Sequence, residues 1–393
     1  MDTIIDIILN YPIGLKILLS LYVVVLLIQL FYHLYFYNGI IRYNRKIKRN
    51  KVGYTTSQPP ISIIVCAQNE SENLRKYLPK LLEQEYPCFE VIVINDGSTD
   101  ESCDVLKLLN QKYKNLYHTF LPTDAKFASR KKICLNVGVK AAHYEHLIIV
   151  DADCEPTSSK WIANIVRNYT SETDIVLGYS SYKKKNGFLY SLIGYENLLS
   201  TIQYMGFALK GKVLRGTNRN ISYKKRLFSA NKTFHSHLNL EYGDDDLFIQ
   251  DISTSKNTKV EFTPDSITLT DREITFKNYL YDKEKRLLTQ SQYKKNLKAL
   301  MKVGYSSKIL FDITYIAIVI GSIILKDYLL LAIIFGTFIL HFIVRCLVIN
   351  LTAKIVHERK FYLSILLFDM IMPWISLYVV IINCFSRNAN RWR

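Results

Sequence analysis

Leu147-Ile148-Ile149-Val150-Asp151-Ala152-Asp153 decides the fold. An apolar run of strand length ends here in two carboxylates one residue apart. Side chains at i and i+2 of an extended chain share a face, so Asp151 and Asp153 can reach one hard cation. Mg²⁺ or Mn²⁺ takes oxygen ligands and shares its shell with substrate phosphates. A solvated turn is the other reading of such a pair. Two more stretches have the same build: residues 60–70 read PISIIVCAQNE and residues 91–102 read VIVINDGSTDES. Strand, polar loop and helix in repetition predict an α/β fold with a mostly parallel central sheet. Ligands of such sheets sit at the carboxyl ends of the strands, where all three polar clusters fall. Helix N-capping by Asp, Asn and Ser explains one such cluster more readily than three.

The pieces continue in order: CAQNE (66–70), NDGSTDES (95–102), ASRKKICLNVG (128–138), IIVDADCEP (148–156), GTNRNISYKKRLF (216–228) and GDDDLFIQD (243–251). Over residues 60–290 this set resembles the inverting GT-A glycosyltransferases of family 2. The resemblance implies a GT-A nucleotide-sugar-binding fold and a nucleotide-diphosphate sugar as donor. Asp96 would contact the nucleobase, Glu70 the ribose side, and Lys131 the donor phosphates. Ala67, Asn69, Ser98 and Ala152 would complete the donor side, with Asp151 and Asp153 holding Mg²⁺ or Mn²⁺. Asp245 would be the base, flanked by Asp244 and Asp246. Gly216 and Asn220 would lie on the acceptor side, with Asn220 facing the sugar.

Residue chemistry leads to the same place. Charge develops on a departing diphosphate, and a bound cation stabilises it. The attacking hydroxyl needs a base, and three adjacent carboxylates raise one another's pKa. A solvated acidic turn is the competing reading of Asp244–Asp246. Polymer-forming members of the family carry Gln-x-x-Arg-Trp after the acidic motif, whereas this chain has Lys283-Glu284-Lys285-Arg286-Leu287. Arg286 keeps the planar fork that can steady a pyrophosphate. The missing Gln and Trp favour single transfer over processive synthesis. A nucleotidyltransferase-like or non-catalytic nucleotide-sugar-binding membrane protein is the reading from another class, and it has no need of a base.

Of the 393 residues 49% are hydrophobic, and mean hydropathy is +0.06. The excess lies at the ends. Residues 17–41 hold no Asp, Glu, Lys or Arg, long enough for a span of about 20 residues. Residues 1–41 therefore read as an N-terminal anchor, followed by a basic linker at 42–58. Positive-inside bias places the domain after it in the cytosol, at the cell inner membrane of a multi-pass protein. The domain divides into a donor half at 59–175 and an acceptor half at 176–275. Residues 276–308 mix lysines with aromatic and aliphatic side chains, a pattern for helices lying on an anionic bilayer. Apolar stretches at 309–325, 328–351 and 361–385 precede a basic tail at 386–393. Three C-terminal spans would put that tail outside, against its charge, unless 309–325 is re-entrant.

The net charge of +17 clusters beside these segments rather than on an interleaved basic-aromatic surface, which excludes nucleic acid as the partner. The partners expected are the donor, a lipid-linked or glycan acceptor, and the membrane. Seven cysteines without Cys-x-x-Cys spacing exclude zinc and disulfide frameworks. His235-Ser236-His237 and Lys183-Lys184-Lys185 read as exposed loops. Tyr190, Tyr195, Glu196 and Tyr204 recur near a helical period within 187–211, as in a core helix or an acceptor groove. Arg345 and Asp369 fall inside apolar stretches, where charge is costly. They are expected to meet across a helical hairpin; alternatively Arg345 snorkels, or meets the phosphate of a lipid-linked acceptor.

Overall fold

Ile61–Ala67 (β1), Phe89–Asn95 (β2), Leu116–Phe120 (β3) and His146–Asp151 (β4) form the parallel half of the central sheet. The structure, a computed structural model, describes residues 11–122, 129–230, 243 and 245–390. Residues 1–10 of the expected anchor, residues 235–237, Asp244 and residues 391–393 of the basic tail lie outside the described residues. Cysteine 154 to Pro156 is β5, Ile175–Gly178 β6, Ser180–Tyr182 β7, Ile221–Lys224 β8, Thr258–Glu261 β9 and Thr268–Thr270 β10. The large sheet runs β3-β2-β1-β4-β8-β6-β9, and β5-β10-β7 make a small one. Strand β8 is antiparallel to both β4 and β6. Strands β1, β2 and β4 are buried on both faces, which is why they read as unbroken apolar runs. Their register pairs Ala67 with Asn95 and Cys66 with Asp151, so the three polar clusters start level with one another.

The helices follow in chain order. Helix α1 (Ile13–Phe31) passes through a π-helical turn (Tyr32–Tyr37) into α2 (Gly39–Lys48). The crossovers are α3 (Ser71–Leu82), α4 (Ser102–Lys112) and α5 (Arg130–Ala141), and α6 (Trp161–Val166) follows β5. The second half of the domain holds α7 (Phe188–Ala208), α8 (Lys225–Ala230) and α9 (Asp246–Ile252). The chain closes with α10 (Phe276–Ser291), α11 (Lys295–Ile324), α12 (Tyr328–Ile355) and α13 (Ser364–Asn390). Among the described residues four segments are long and apolar enough to cross a membrane: Ile13–Lys48, α11, α12 and Ser364–Ile382. Their outward side chains, such as Ile17, Leu27, Ile320 and Trp374, are apolar and exposed.

Two sequence expectations change here. Residues 276–308 are not one interfacial segment ahead of a separate span, because α11 starts at Lys295 and runs unbroken for 30 residues. Residues 309–325 continue the same helix. Ten residues into α11 Gly304 lies under the Tyr32 ring, and just past its last turn Asp327 accepts a hydrogen bond from Tyr11. Helix α11 therefore lies along the whole of α1, with no proline to break it. Lys183 and Lys185 differ too. Lys183 bridges Glu155 (2.6 Å) and Asp271 (3.2 Å), and Lys185 reaches Asp271 at 3.0 Å. They knit the small sheet together, and of the three lysines only Lys184 is exposed.

The membrane helices and the domain meet on α7. A Cβ on Gly206 would stand 2.6 Å from the Phe36 carbonyl oxygen, so only glycine allows this approach. The Phe36 and Phe207 rings pack with centroids 4.4 Å apart. Further along α7, the Tyr195 hydroxyl donates to Asp369 at 2.8 Å, and Arg345 Nη2 meets the same carboxylate oxygen at 2.6 Å. The structure thus joins the two intramembrane charges and adds a third partner from the domain.

Gly206→Ala is expected to cost about 1–3 kcal/mol by overpacking and to lower the melting temperature of the detergent-solubilised protein. Gly194→Ala, on the same helix with nothing within 4 Å of its added Cβ, is the control and should leave melting unchanged or raise it. Equal melting of the two variants would show that the α7–π-turn contact yields freely.

Candidate functional site

At the carboxyl ends of β1 and β2 the loops are fastened to each other. Asn69 adopts φ +55°. Its N–H donates to Ser98 Oγ (2.9 Å) and its Oδ1 accepts from the Thr99 N–H (2.8 Å). Ser98 N–H in turn donates to Asn95 Oδ1 at 3.1 Å. Asn69 and Ser98 therefore tie the two loops together. The Ala67 carbonyl accepts from the Asp96 N–H at 2.8 Å, and Arg130 Nε holds the buried Asp96 carboxylate at 2.8 Å.

Beyond β4 the acidic residues converge. Lys131 Nζ lies 2.8 Å from Asp151 Oδ1. Burial first, and the neighbouring Asp151 next, push the Asp153 carboxyl up. Burial also raises Glu70, with Asp153 and Asp151 adding to it. Ala152, buried between the two aspartates, leaves the turn narrow. Among the described residues no group of three His, Cys, Asp or Glu side chains is set for a metal. Two carboxylates one residue apart at the end of β4 nevertheless fit a Mg²⁺ or Mn²⁺ that takes its remaining ligands from water and substrate phosphate.

The loop after residue 215 corrects an expectation. Asn220 does not face a ligand space; it is fully buried. Its amide donates to the carbonyls of Tyr179 (2.7 Å) and Ser266 (2.8 Å), and its Oδ1 accepts from Trp161 Nε1 (3.3 Å). Gly216 is likewise a packing position, pressed against Ile221 and Ile249. The neighbour of Asn220, Arg219, points the other way. Its guanidinium lies 4.8 Å from the Tyr182 ring centre, Nη2 donates to Asn197 Oδ1 at 3.1 Å, and buried Nη1 has no partner. Asp153 and Asp151 are among the charges that favour its protonated form. Sequence reasoning missed Arg219, although a strand beginning at Ile221 and alternating inward at Asn220 would have turned Arg219 outward.

On the base side, Asp245 caps α9 and its Oδ1 accepts from the Asp246 N–H at 2.8 Å. Asp246 is buried, accepts from the Tyr293 hydroxyl, and lies 3.3 Å from Arg215 Nε. Burial pushes its carboxyl up to about 7; Arg215 opposes this and Asp245 adds to it. Asp245 is the more accessible of the two. Arg286 Nη1 meets Glu196 Oε1 at 3.0 Å, and Lys283 Nζ meets the same oxygen at 3.1 Å. Burial would raise Glu196, but Arg286 and Lys283 outweigh it and hold the carboxyl below its ordinary value.

Glu196, Lys283 and Arg286 line two spaces, one on either side of them. A small pocket of about 30 Å³ also touches Tyr182 and Asn197, the partners of Arg219. A cavity of about 440 Å³ extends from Arg215 and Tyr293 to Arg345 and Asp369 between the membrane helices. The larger cavity thus joins Arg215 and Tyr293, which hold Asp246, to the space between the membrane helices.

Residues 62–234 match the sequence model of glycosyl transferase family 2. Over 198 residues the chain is 27% identical to the poly-beta-1,6-N-acetyl-D-glucosamine synthase of Staphylococcus epidermidis. It is 24% identical over the same length to the synthase of that name from Staphylococcus aureus strain COL. Both alignments cover 50% of this chain and 44% of the relative, so the chain spans about half the length of the curated relatives it matches. Among solved structures, the mannosyltransferase PcManGT of Pyrobaculum calidifontis, in complex with GDP-Man and Mn²⁺, superposes with a TM-score of 0.50. The match has 16% identity and covers 86% of this chain and 98% of that one. The likeness is one of fold.

Asp246 generates a test by pH. The folded protein holds this proton up to about pH 7, whereas the unfolded chain releases it near 3.8. Its contribution is therefore largest below the unfolded value and is lost as pH rises through the folded one. Asp246→Asn should flatten the fall of melting temperature between pH 4.5 and 8. An unchanged slope would show that Asp246 is already ionised in the folded state.

Proposed function

We propose that this chain is a family 2 glycosyltransferase, as the match of residues 62–234 supports, and that it moves a sugar from a nucleotide-diphosphate donor to a lipid-linked or glycan acceptor at the cytosolic face of the membrane. The observation that carries this reading is the convergence of Glu70, Asp151 and Asp153 with Lys131 and Arg219 at the carboxyl ends of β1 and β4. Transfer at a single acceptor hydroxyl with inversion fits one accessible base, Asp245, set against the donor side. Envelope polysaccharide or glycolipid assembly is the setting that a multi-pass anchor with a basic collar supports.

Each residue has a task. Asp96, fixed by Arg130, takes the nucleobase side, and Glu70 the ribose side. Lys131 and the unpaired Nη1 of Arg219 face the phosphates. Asp151 and Asp153 would hold Mg²⁺ or Mn²⁺, which when bound stabilises the charge on the leaving diphosphate. Asp245 accepts the proton of the acceptor hydroxyl as attack proceeds. Buried Asp246, pinned by Tyr293 and Arg215, fixes the start of α9 and so the position of Asp245. Arg286 contributes its fork beside Glu196.

A second reading, processive synthesis, is favoured by what the relatives are named for, a polymer of N-acetylglucosamine. It also makes the nucleoside-diphosphate form of that sugar the first donor to assay. Lys283 weighs against it. Where polymer-forming members carry Gln, this chain commits a lysine to a buried ion pair with Glu196, and Leu287 replaces the aromatic platform.

With purified protein, a panel of nucleotide sugars and Mn²⁺, Asp245→Asn should retain donor binding while turnover falls by about 10²–10⁴-fold. Asp153→Asn should weaken the metal-dependent donor binding itself. Near-normal turnover of Asp245→Asn would end its assignment as base. Product analysis should show one sugar added per acceptor, with no ladder at long times. A ladder of long products would establish the processive reading.

A further inference from the structure

The larger cavity holds more positive than negative charge. Five Lys or Arg side chains line it against three carboxylates, among the described residues. Two of the cations are balanced one to one: Lys308 by Asp312 at 2.6 Å and Arg345 by Asp369 at 2.6 Å. Lys283 and Arg286 share the single carboxylate of Glu196, and Arg215 faces Asp246, whose buried carboxyl is pushed up to about 7. The walls between these groups are apolar, with Leu199, Leu287, Met301, Ile309, Val348 and Met372. Such a space suits a ligand with an anionic head and a hydrocarbon body.

Arg345 adds a specific donor. Ten residues, about 15 Å of helix, separate it from Ile355 at the end of α12. Nη2 is spent on Asp369 and, at 3.5 Å, on Tyr195, while buried Nε has no hydrogen-bond partner. An unmet guanidinium N–H in a low-dielectric space is costly, and a phosphate oxygen is the acceptor that its geometry favours. Beside it, Pro373 has no N–H to give the Asp369 carbonyl, which interrupts α13 where Met372 and Pro373 border the cavity. The neighbouring Met370 and Trp374 lie exposed on the outer face.

We propose that this cavity binds the phosphate head of a membrane-borne amphiphile, with Arg345 Nε as a direct donor, and that this amphiphile is the acceptor. The proposal rests on the glycosyl-transfer reading, because the other end of the cavity is lined by Arg215 and Tyr293, the partners of Asp246 beside the proposed base. It narrows the acceptor from lipid-linked or glycan to a sugar carried on a lipid phosphate, whose hydroxyl is the one Asp245 would deprotonate. A hydrocarbon tail would leave between the membrane helices, the phosphate would meet Arg345, and the sugar would lie toward Arg286 and Arg215.

The test uses the full chain in nanodiscs and the variant Arg345→Lys. Lysine keeps the charge and the pairing with Asp369, so folding is retained, but its single nitrogen replaces the planar fork and leaves no donor at the position of Nε. Binding of a polyprenyl phosphate, the matching polyprenol, phosphatidylglycerol, inorganic phosphate and a neutral hexosamine oligomer is followed by native mass spectrometry and thermal shift. Nucleoside-diphosphate binding is measured on the same samples. The expected result is binding of polyprenyl phosphate but not of polyprenol, inorganic phosphate or the oligomer. Arg345→Lys should weaken it roughly tenfold or more, the worth of one charge-assisted hydrogen bond, with nucleotide binding intact. Phosphatidylglycerol binding with the same dependence on Arg345 upholds the phosphate-head site and assigns its occupant to the bilayer rather than to an isoprenoid carrier. Equal binding of polyprenol or inorganic phosphate, binding of the oligomer in their place, or no effect of Arg345→Lys overturns the proposal. Failure of nucleotide binding in the parent protein would instead overturn the glycosyl-transfer reading and leave the lipid result standing alone.

Discussion

Everything in this molecule hangs on α7 being held from two sides at once. Tyr195 and Glu196 are consecutive, yet the first binds the Arg345–Asp369 pair between membrane helices and the second clamps Lys283 and Arg286 of α10. About three turns further on, Gly206 lets the same helix touch the backbone of the π-helical turn. The domain is therefore fixed on its anchor, and the cavity between them has walls set by buried ion pairs. Buried ion pairs gain little net stability, because desolvation offsets the attraction. Their value here is positional: each has a polar partner only if α7, α10, α12 and α13 keep their register.

The same principle orders the site. Charges are placed singly where a ligand would complete them, and in pairs where the scaffold needs them. Asp96, Glu155 and Asp271 are matched by nearby cations and hold loops. Asp151 and Asp153 are crowded together with Glu70 nearby, an arrangement that a cation and a diphosphate would relieve. Arg219 and Arg345 each keep one buried N–H unused, one beside these carboxylates and one in the membrane cavity.

The parallel strands were legible because strands buried on both faces leave unbroken apolar runs, and the polar clusters after them mark carboxyl ends. The pairing of Arg345 with Asp369 was legible because hydrocarbon leaves charges few other choices. Less could be read where tertiary contacts decide. Asn220 and Arg219 are adjacent polar residues of one loop, and which one turns inward depends on Trp161, Tyr179 and Ser266, far away in the chain. Lys183 and Lys185 look solvated until β10 brings Asp271 beside them. Glu196 sits on a helix that periodicity reads as core, and its partners are about ninety positions away. The 30-residue α11 hid its length because its first turns are lysine-rich and its last are apolar.

The most direct test of the account is the structure of the full chain with a nucleotide sugar and Mn²⁺, with the metal located by its anomalous scattering. The account predicts one Mn²⁺ on Asp151 and Asp153, the base against Asp96, the diphosphate beside Lys131 and Arg219, and the sugar toward Asp245. A metal bound elsewhere, or a donor seated away from the ends of β1 and β4, would contradict it.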